Sequence, residues 1–452
     1  MTKSDLIKKI FYGDISVWVI FLLLCCLSLI EVFSATGAQA FAKSNFWLPI
    51  IKHTAILSFG AILVVMLSHI HYKFFSLAIL LLPIAGLMLL ITPFVGMNVH
   101  SSTRFLELFG FQFQPSEVAK FACVVYVAYW LSKRGKMSDS AIFKIILWGI
   151  IPVCVLIAYG NLSTAILLGV VCYMMMFIGH IPLKKLGKLL LSTLATALIV
   201  ALLISVMPPD TVNKYMPRAA TGVGRITRFL NPEQSSESKR AEDAQRAASA
   251  KNDSVFIITD DNYQINHAKI AIARGGILGK GAGQSVQRDV LPQAYSDFIY
   301  AIIIEELGIA GGLGVILLYI MLLIRAGIIA RRCESFFPQY LVLGCGLVIV
   351  IQAFTNIAVT VGLFPVTGQP LPLICQGGTS TVMTCVYLGI ILSISHFGAG
   401  MGKGIDMKEE TEEGEGEGND GDENENESAT DETETAETAD ENIDSTVNRT
   451  DE

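Results

Sequence analysis

Ten long apolar runs, each bounded by charged or by glycine- and proline-rich segments, leave this chain few ways to fold. They lie near residues 15–35, 47–68, 74–95, 116–132, 141–158, 162–180, 186–207, 298–324, 338–361 and 377–397. An α-helix rises 1.5 Å per residue, so about 20 apolar residues cross the roughly 30 Å hydrocarbon layer of a bilayer. No water is present there to meet backbone N–H and C=O groups, so a spanning segment must satisfy its own, as a helix does. The pattern predicts an all-α polytopic membrane protein of about ten transmembrane helices. The first run has no small-residue cleavage site and is long enough to span, so it reads as a membrane helix and not a removable leader.

Hydrophobic residues make up 52% of the 452, yet 16% are charged, so the charges must be segregated. Residues 405–452 hold 21 acidic residues against two basic ones, Lys408 and Arg449, a charge of −19 that leaves the body at +12. This tail has no apolar period and buries too little surface to offset its chain entropy. Residues 405–452 therefore read as a disordered acidic cytoplasmic tail, and 1–404 as the transmembrane domain. Lys and Arg are enriched in cytoplasmic loops. Fifteen lie at one set of helix ends, among them Lys73, Lys133, Arg134, Lys184 and Lys403; the short loops of the other side carry Lys43 and Arg104. Both termini are expected in the cytoplasm, with one large extracytoplasmic loop, 208–296, between helices 7 and 8. Within it 233–254 are polar, whereas 262–296 are richer in Gly and apolar residues and should fold near the membrane. None of the nine cysteines shows CxxC or Cys/His spacing, which favours buried thiols over a metal site.

An ionisable group within or bordering a span is costly and so points to function. Glu31 ends the first run, Arg104 precedes the fourth, Glu117 and Lys120 open the fourth, and Asn161 separates the fifth from the sixth. Asp297 opens the eighth, with Glu305 and Glu306 further into it. In QPSEVAK (114–120), Pro115 and Ser116 mark a helix start, which puts Glu117 and Lys120 on one face of the first turn. Two readings follow: a capped helix with an internal ion pair, or a cation at a helix N-terminus suited to a phosphate. Asp297 is equally either the N-cap of its helix or a partly desolvated carboxylate at the water–lipid border, and so a better base. Adjacent helix residues point about 100° apart, so at most one of Glu305 and Glu306 is expected to face the bundle. GGILGKGAG (275–283) lacks the spacing of a phosphate loop but suits a close backbone approach. Four Gly and three Pro in 362–380 exclude a regular helix between the last two spans. A transporter and a lipid-processing enzyme both fit these features.

Four segments in order resemble the SEDS family (shape, elongation, division and sporulation proteins), which includes FtsW, RodA and SpoVE. RFLELFGFQFQPSEVAK (104–120) is similar to the family's R-W-I-x-L-G…Q-P-S-E-x-x-K, and GNLSTAI (160–166) to P-D-L-G-T-A. RGGILGKGAGQSVQRDVLPQAYSDFIYAIIIEELG (274–308) is similar to S-G-G-x-x-G-x-G…L-P-x-x-x-T-D-F-I-F-A…E-E-L-G. The fourth is 352–380, with Gln352, Asn356, GLFPVTGQPLPL and GGTS. Departures are Phe105 for Trp, Asn161 and Ser163 for Asp and Gly, and Tyr295, Ser296 and Gln376 where His, Thr and Tyr are common. Asn161 lacks the charge that a catalytic role there would use.

The resemblance implies a peptidoglycan glycosyltransferase of the inner membrane that polymerises lipid II at the outer face. It leans towards the FtsW branch, and so towards septal wall synthesis in cell division. Its partners would be a class B penicillin-binding protein (FtsI-like) and other divisome membrane proteins, with no nucleic acid. A sugar hydroxyl is a poor nucleophile at neutral pH, and Asp297 is the candidate base. Charge developing on the undecaprenyl pyrophosphate leaving group would be met by Arg104 and Lys120, then Lys280 and Arg288. Glu117 would orient Lys120, and Glu305 and Glu306 complete the substrate-binding set. A divalent cation such as Mg2+ is compatible with the phosphates, though no metal-ligand spacing calls for one. A lipid II flippase and a non-catalytic scaffold for a penicillin-binding protein are the rival readings.

Overall fold

A computed structural model describes residues 11–35, 47–95, 97–99, 102–108, 111–207, 222, 224–225, 263–291 and 294–398. The acidic tail and the polar stretch 233–254 lie outside these. All ten apolar runs are helical. They form α1 (Ile15–Ala35), α2 (Trp47–Ser68), a 3-10 segment Tyr72–Leu80 that continues into α3 (Leu81–Val95), α4 (Pro115–Ser132), α5 (Asp139–Gly160), α6 (Leu162–Ile178) and α7 (Leu183–Val206). Within residues 208–296 lie α8 (Tyr263–Gly275) and the short α9 (Gln287–Val290), and after them come α10 (Ile299–Arg332), α11 (Phe336–Thr360) and α12 (Gly378–Phe397). Among the described residues eight helices are long and apolar enough to cross a membrane, and Leu162–Ile178 is a shorter apolar one. The chain is a multi-pass membrane protein.

Its centre is α4, flanked by α11 and α12. Nearly every residue of α4 from Pro115 to Ala128 is buried, polar ones included. Small residues let these helices close up, as between membrane helices generally. Gly60 of α2 faces Cys385 of α12, and Gly389 of α12 faces Leu67 and Val64. The outer helices instead present Leu, Ile and Phe outward, and α7 buries only Leu186 among its described residues. Such a belt is an aggregation hazard in water and an ordinary surface in lipid. At the end bearing most of the Lys and Arg, Asp14 ties three helices together: it pairs with Arg325 of α10, and its N–H donates to Ser395 Oγ of α12 (2.9 Å).

Three features depart from the sequence expectations. First, β1 (Met97–Val99), β2 (Ser102–Leu108) and β3 (Phe111–Phe113) form a small antiparallel sheet in the order β1-β2-β3. The alternation in LEL and FQF is its strand signal. Second, the eighth span does not close near 324 but runs on to Arg332. Arginines hold a helix in the aqueous boundary as readily as a loop does, because their stems reach back over apolar surface. Third, α10 is broken at Gly308, whose φ of 73° and ψ of −178° are not helical. The interruption opens the α10 backbone to the loop after α8. Lys280 and Gly281 N–H donate to the carbonyls of Glu305 (3.1 Å) and Glu306 (2.9 Å), and Ile309 N–H donates to Gly276 O (2.9 Å).

Candidate active site

Asp297 lies half-buried in the turn that leads into α10. The N-cap of that helix is Phe298, so the capping reading of Asp297 gives way. Ser296 Oγ donates to Asp297 Oδ1 at 2.8 Å. The main chain behind the carboxylate is held from the segment between α11 and α12, which is non-helical as its prolines require. Asn356 Nδ2 donates to the carbonyls of Asp297 and Gln369, both at 2.8 Å. Cys375 Sγ donates to Ser296 O (2.6 Å), and Gln376 N–H to Tyr295 O (3.1 Å). A β-carbon on Gly368 would stand 3.5 Å from Asp297 Oδ2, so this loop passes directly beside the carboxylate. Burial pushes the Cys375 thiol well above its usual range; the nearby Asp297 adds to this against an opposing hydrogen bond from Leu371 N–H. This cysteine is therefore a thiol donor, not a nucleophile.

The second cluster is internal. Lys120 is fully buried, its ammonium 2.9 Å from Glu117 and 2.9 Å from Gln352 Oε1. Pro115 opens α4 at its first turn, as the sequence indicates. Gln352 Nε2 then reaches Pro370 O (3.1 Å) and Ser380 Oγ (3.3 Å). Gln352 and Asn356 are one turn apart on α11, so a single helix face ties both the ion pair and Asp297 to the 362–377 loop. A buried cation must be matched by charge and hydrogen bonds, and Lys120 is.

The third cluster corrects the expectation for Glu305 and Glu306. Both are fully buried. The loop 280–288 receives both carboxylates, and Ser285 donates to each, by its hydroxyl to Glu305 and by its N–H to Glu306. Glu305 accepts from Ser285 Oγ and from the N–H groups of Val286 (3.3 Å) and Gln287 (3.1 Å), with Lys280 Nζ at 3.6 Å. Glu306 accepts from Ser34 Oγ and from the N–H groups of Gly283 (2.8 Å) and Ser285 (3.3 Å). Arg288 donates to Ser34 Oγ (3.1 Å), Ser34 O (3.3 Å) and Gly283 O (2.8 Å). The close approach suggested by GGILGKGAG is thus to α10: a β-carbon on Gly275 or Gly279 would collide with the carbonyl of Ile304 or Glu306.

Asp297, Glu117 and Lys120 are linked through α11, while Lys280, Arg288, Glu305 and Glu306 form a second cluster where the loop after α8 and α9 meet α10. Arg104 lies on β2, and its side chain is outside the described residues. Asn161 is the buried N-cap of α6, accepting from Thr164 N–H at 3.4 Å. Gln352 and Asn356 matched family motifs but received no role in the sequence reading. Two amides one turn apart in an otherwise apolar run carry the same signal as an ionisable pair, since each must find partners there. Among the described residues no group of three or more His, Cys, Asp or Glu side chains is arranged to hold a metal ion.

Known proteins share both sequence and fold with this chain. It is 28% identical over 397 residues, 86% of this chain and 96% of the relative, to a probable peptidoglycan glycosyltransferase FtsW of Geobacter sulfurreducens. It is 33% identical over 326 residues, 70% of this chain and 73% of the relative, to a protein of the same name from Nitrosococcus halophilus. Among solved structures it is similar to a chain of a peptidoglycan synthase complex that coordinates polymerisation and crosslinking (TM-score 0.62, 21% identity, 85% of this chain and 97% of that one). It is also similar to the rod shape determining protein RodA of Thermus thermophilus (TM-score 0.57, 20% identity, 85% and 96%). A family model described as cell cycle protein, that of FtsW, RodA and SpoVE, matches residues 14–399. A match over nearly the whole membrane domain settles membership: this chain belongs to the FtsW, RodA and SpoVE family of cell cycle proteins.

Proposed function

We propose that this protein is a peptidoglycan glycosyltransferase that polymerises lipid II at the outer face of the inner membrane, with Asp297 as the general base. It works at the division septum beside a class B penicillin-binding protein. The observation that carries the reading is the half-buried Asp297 carboxylate, set beside the 362–377 loop while the backbone behind it is fixed by Asn356 and Cys375. The acceptor sugar's 4-hydroxyl oxygen attacks the anomeric carbon of the donor strand, and its proton passes to Asp297. The carbon–oxygen bond to the carrier breaks, and the electron pair leaves with undecaprenyl pyrophosphate. A positioned base of this kind contributes roughly 10²–10⁴ in rate.

Lys280 and Arg288, partly exposed, would meet the charge of the departing diphosphate, together with Arg104. A Mg2+ ion accompanying the phosphates would add to that compensation. Lys120, fully buried against Glu117, acts instead by holding Gln352 and the loop.

The test is strand formation from labelled lipid II by full-length protein co-purified with its penicillin-binding protein, whose transpeptidase is blocked. Long strands from wild type and none from Asp297→Asn is the expected result. A near wild-type rate in the variant removes Asp297 as base. No strands from an intact wild-type complex transfers the reading to a flippase or a scaffold.

A further inference from the structure

The 369–376 turn beside Asp297 contains a residue in an unfavourable backbone state. Leu373 has φ 65°, left-handed, where a branched side chain without a local hydrogen bond of its own is strained. It is also buried, so no solvent contact compensates it. Such a conformation persists only where the surroundings over-determine it. Here both flanking carbonyls are held. Tyr319 of α10 donates its hydroxyl proton to Pro372 O at 2.6 Å. Ser28 of α1 donates to Ile374 O at 3.1 Å.

Ser28 has a second contact. Its oxygen lies 2.8 Å from Nε2 of His53, a histidine buried within α2. A hydroxyl has one proton; directed at Ile374 O, it leaves the Ser28 oxygen to accept from His53 Nε2–H, which sets the tautomer of that ring. The chain of hydrogen bonds therefore runs from His53 through Ser28 to Ile374 O. One residue further along the turn it continues through Cys375 to Ser296 O, and from there to the Asp297 carboxylate by the Ser296 hydroxyl. Side chains tied to three helices, α1, α2 and α10, thus converge on one strained turn.

We propose that His53 and Ser28 are positioning residues for Asp297. They hold the Leu373 turn in its left-handed state, and through Cys375 and Gln376 the turn fixes where the carboxylate stands. Neither residue falls in the four segments that carry the family resemblance, and neither contacts the sugar or phosphate. The proposal rests on Asp297 being the base. Loss of the clamp lets the turn relax, and a displacement of the order of 1 Å at a reacting group can lower a rate about 100-fold.

The experiment is steady-state lipid II polymerisation by the full-length protein with its penicillin-binding protein, for wild type, His53→Leu, His53→Gln, His53→Asn, Ser28→Ala and Asp297→Asn. His53→Leu is expected to lower kcat by roughly 10- to 100-fold, with KM changed by less than about twofold because substrate contacts are intact. His53→Gln places a side-chain amide where Nε2–H stood and recovers most of kcat; His53→Asn, a methylene shorter, does not. His53→Leu combined with Ser28→Ala loses no more than either alone, since both break one chain of bonds. If His53→Leu fails to fold, the contrast between Gln and Asn still decides. Equal rates in the Gln and Asn variants, or a loss carried by KM, overturn the proposal. An unimpaired His53→Leu beside an inactive Asp297→Asn overturns this proposal alone, whereas an active Asp297→Asn overturns the base and this proposal together.

Discussion

A lysine at the centre of a membrane helix bundle is read first as a ligand for phosphate, and the packing around Lys120 reverses that order of explanation. Its ammonium is matched by Glu117 and Gln352 and does not reach the surface. Removing one member of a buried pair leaves the other uncompensated, at a cost of about 3–5 kcal/mol. Lys120→Ala is thus expected to lower the thermal unfolding midpoint of the detergent-solubilised protein sharply. The double variant Lys120→Met with Glu117→Gln should recover much of that loss, because no bare charge remains. A double variant that is stable and also polymerises at the wild-type rate shows that Lys120 touches no phosphate; a stable one whose loss is carried by kcat keeps it a positioning residue, and one whose KM rises returns it to the substrate. The first-turn pairing of these residues was legible from their spacing of three and the preceding Pro115. The partner Gln352, more than two hundred residues away, was not, because spacing reports on one element and this contact joins two.

At the scale of the element, α10 and the loop after α8 form one unit. The boundaries of α2 and α4 could be read from the chain to within a residue, since each is an apolar run with a polar or proline edge. The break at Gly308 could not, because glycine is common within membrane helices and Gly308 is one of several here, with Gly311, Gly312 and Gly314 close behind. The burial of both Glu305 and Glu306 was hidden too: helical periodicity describes a cylinder with one inner face, and here a loop supplies a second. At Gly279 that loop touches the helix, with φ 78° and no room for a β-carbon beside the Glu306 carbonyl. Gly279→Ala is expected to detach residues 280–287 from α10 and abolish polymerisation. The left-handed backbone alone costs about 1–2 kcal/mol. Limited proteolysis of this loop checks it, with Gly314→Ala, whose β-carbon would meet nothing, as the silent control.

At the scale of the molecule, the fold class followed from the apolar runs because a bilayer permits so few alternatives. The placement of the site followed less well. Its parts come from α1, α4, α10, α11 and two loops, and their convergence is a property of tertiary packing that no single run encodes. The division between a basic body and an acidic tail carries its own test. Removing residues 405–452 takes away 21 acidic residues but none of the groups around Asp297, so purified protein ending at Gly404 should polymerise within about twofold of wild type. A larger change in rate would give the tail a regulatory part.

The interruption of α10 also bears on the order in which the protein is made. Chains emerge from the ribosome with the N-terminal part first. The loop 276–287, which supplies the N–H groups for Glu305 and Glu306, is therefore synthesised before the helix that needs them. That segment of α10 can reach its final state only against a loop made before it. On the proposed topology, with that loop at the outer face, its translocation precedes assembly of the site, and a nascent chain stalled before Gly308 would carry both glutamates without a finished helix around them.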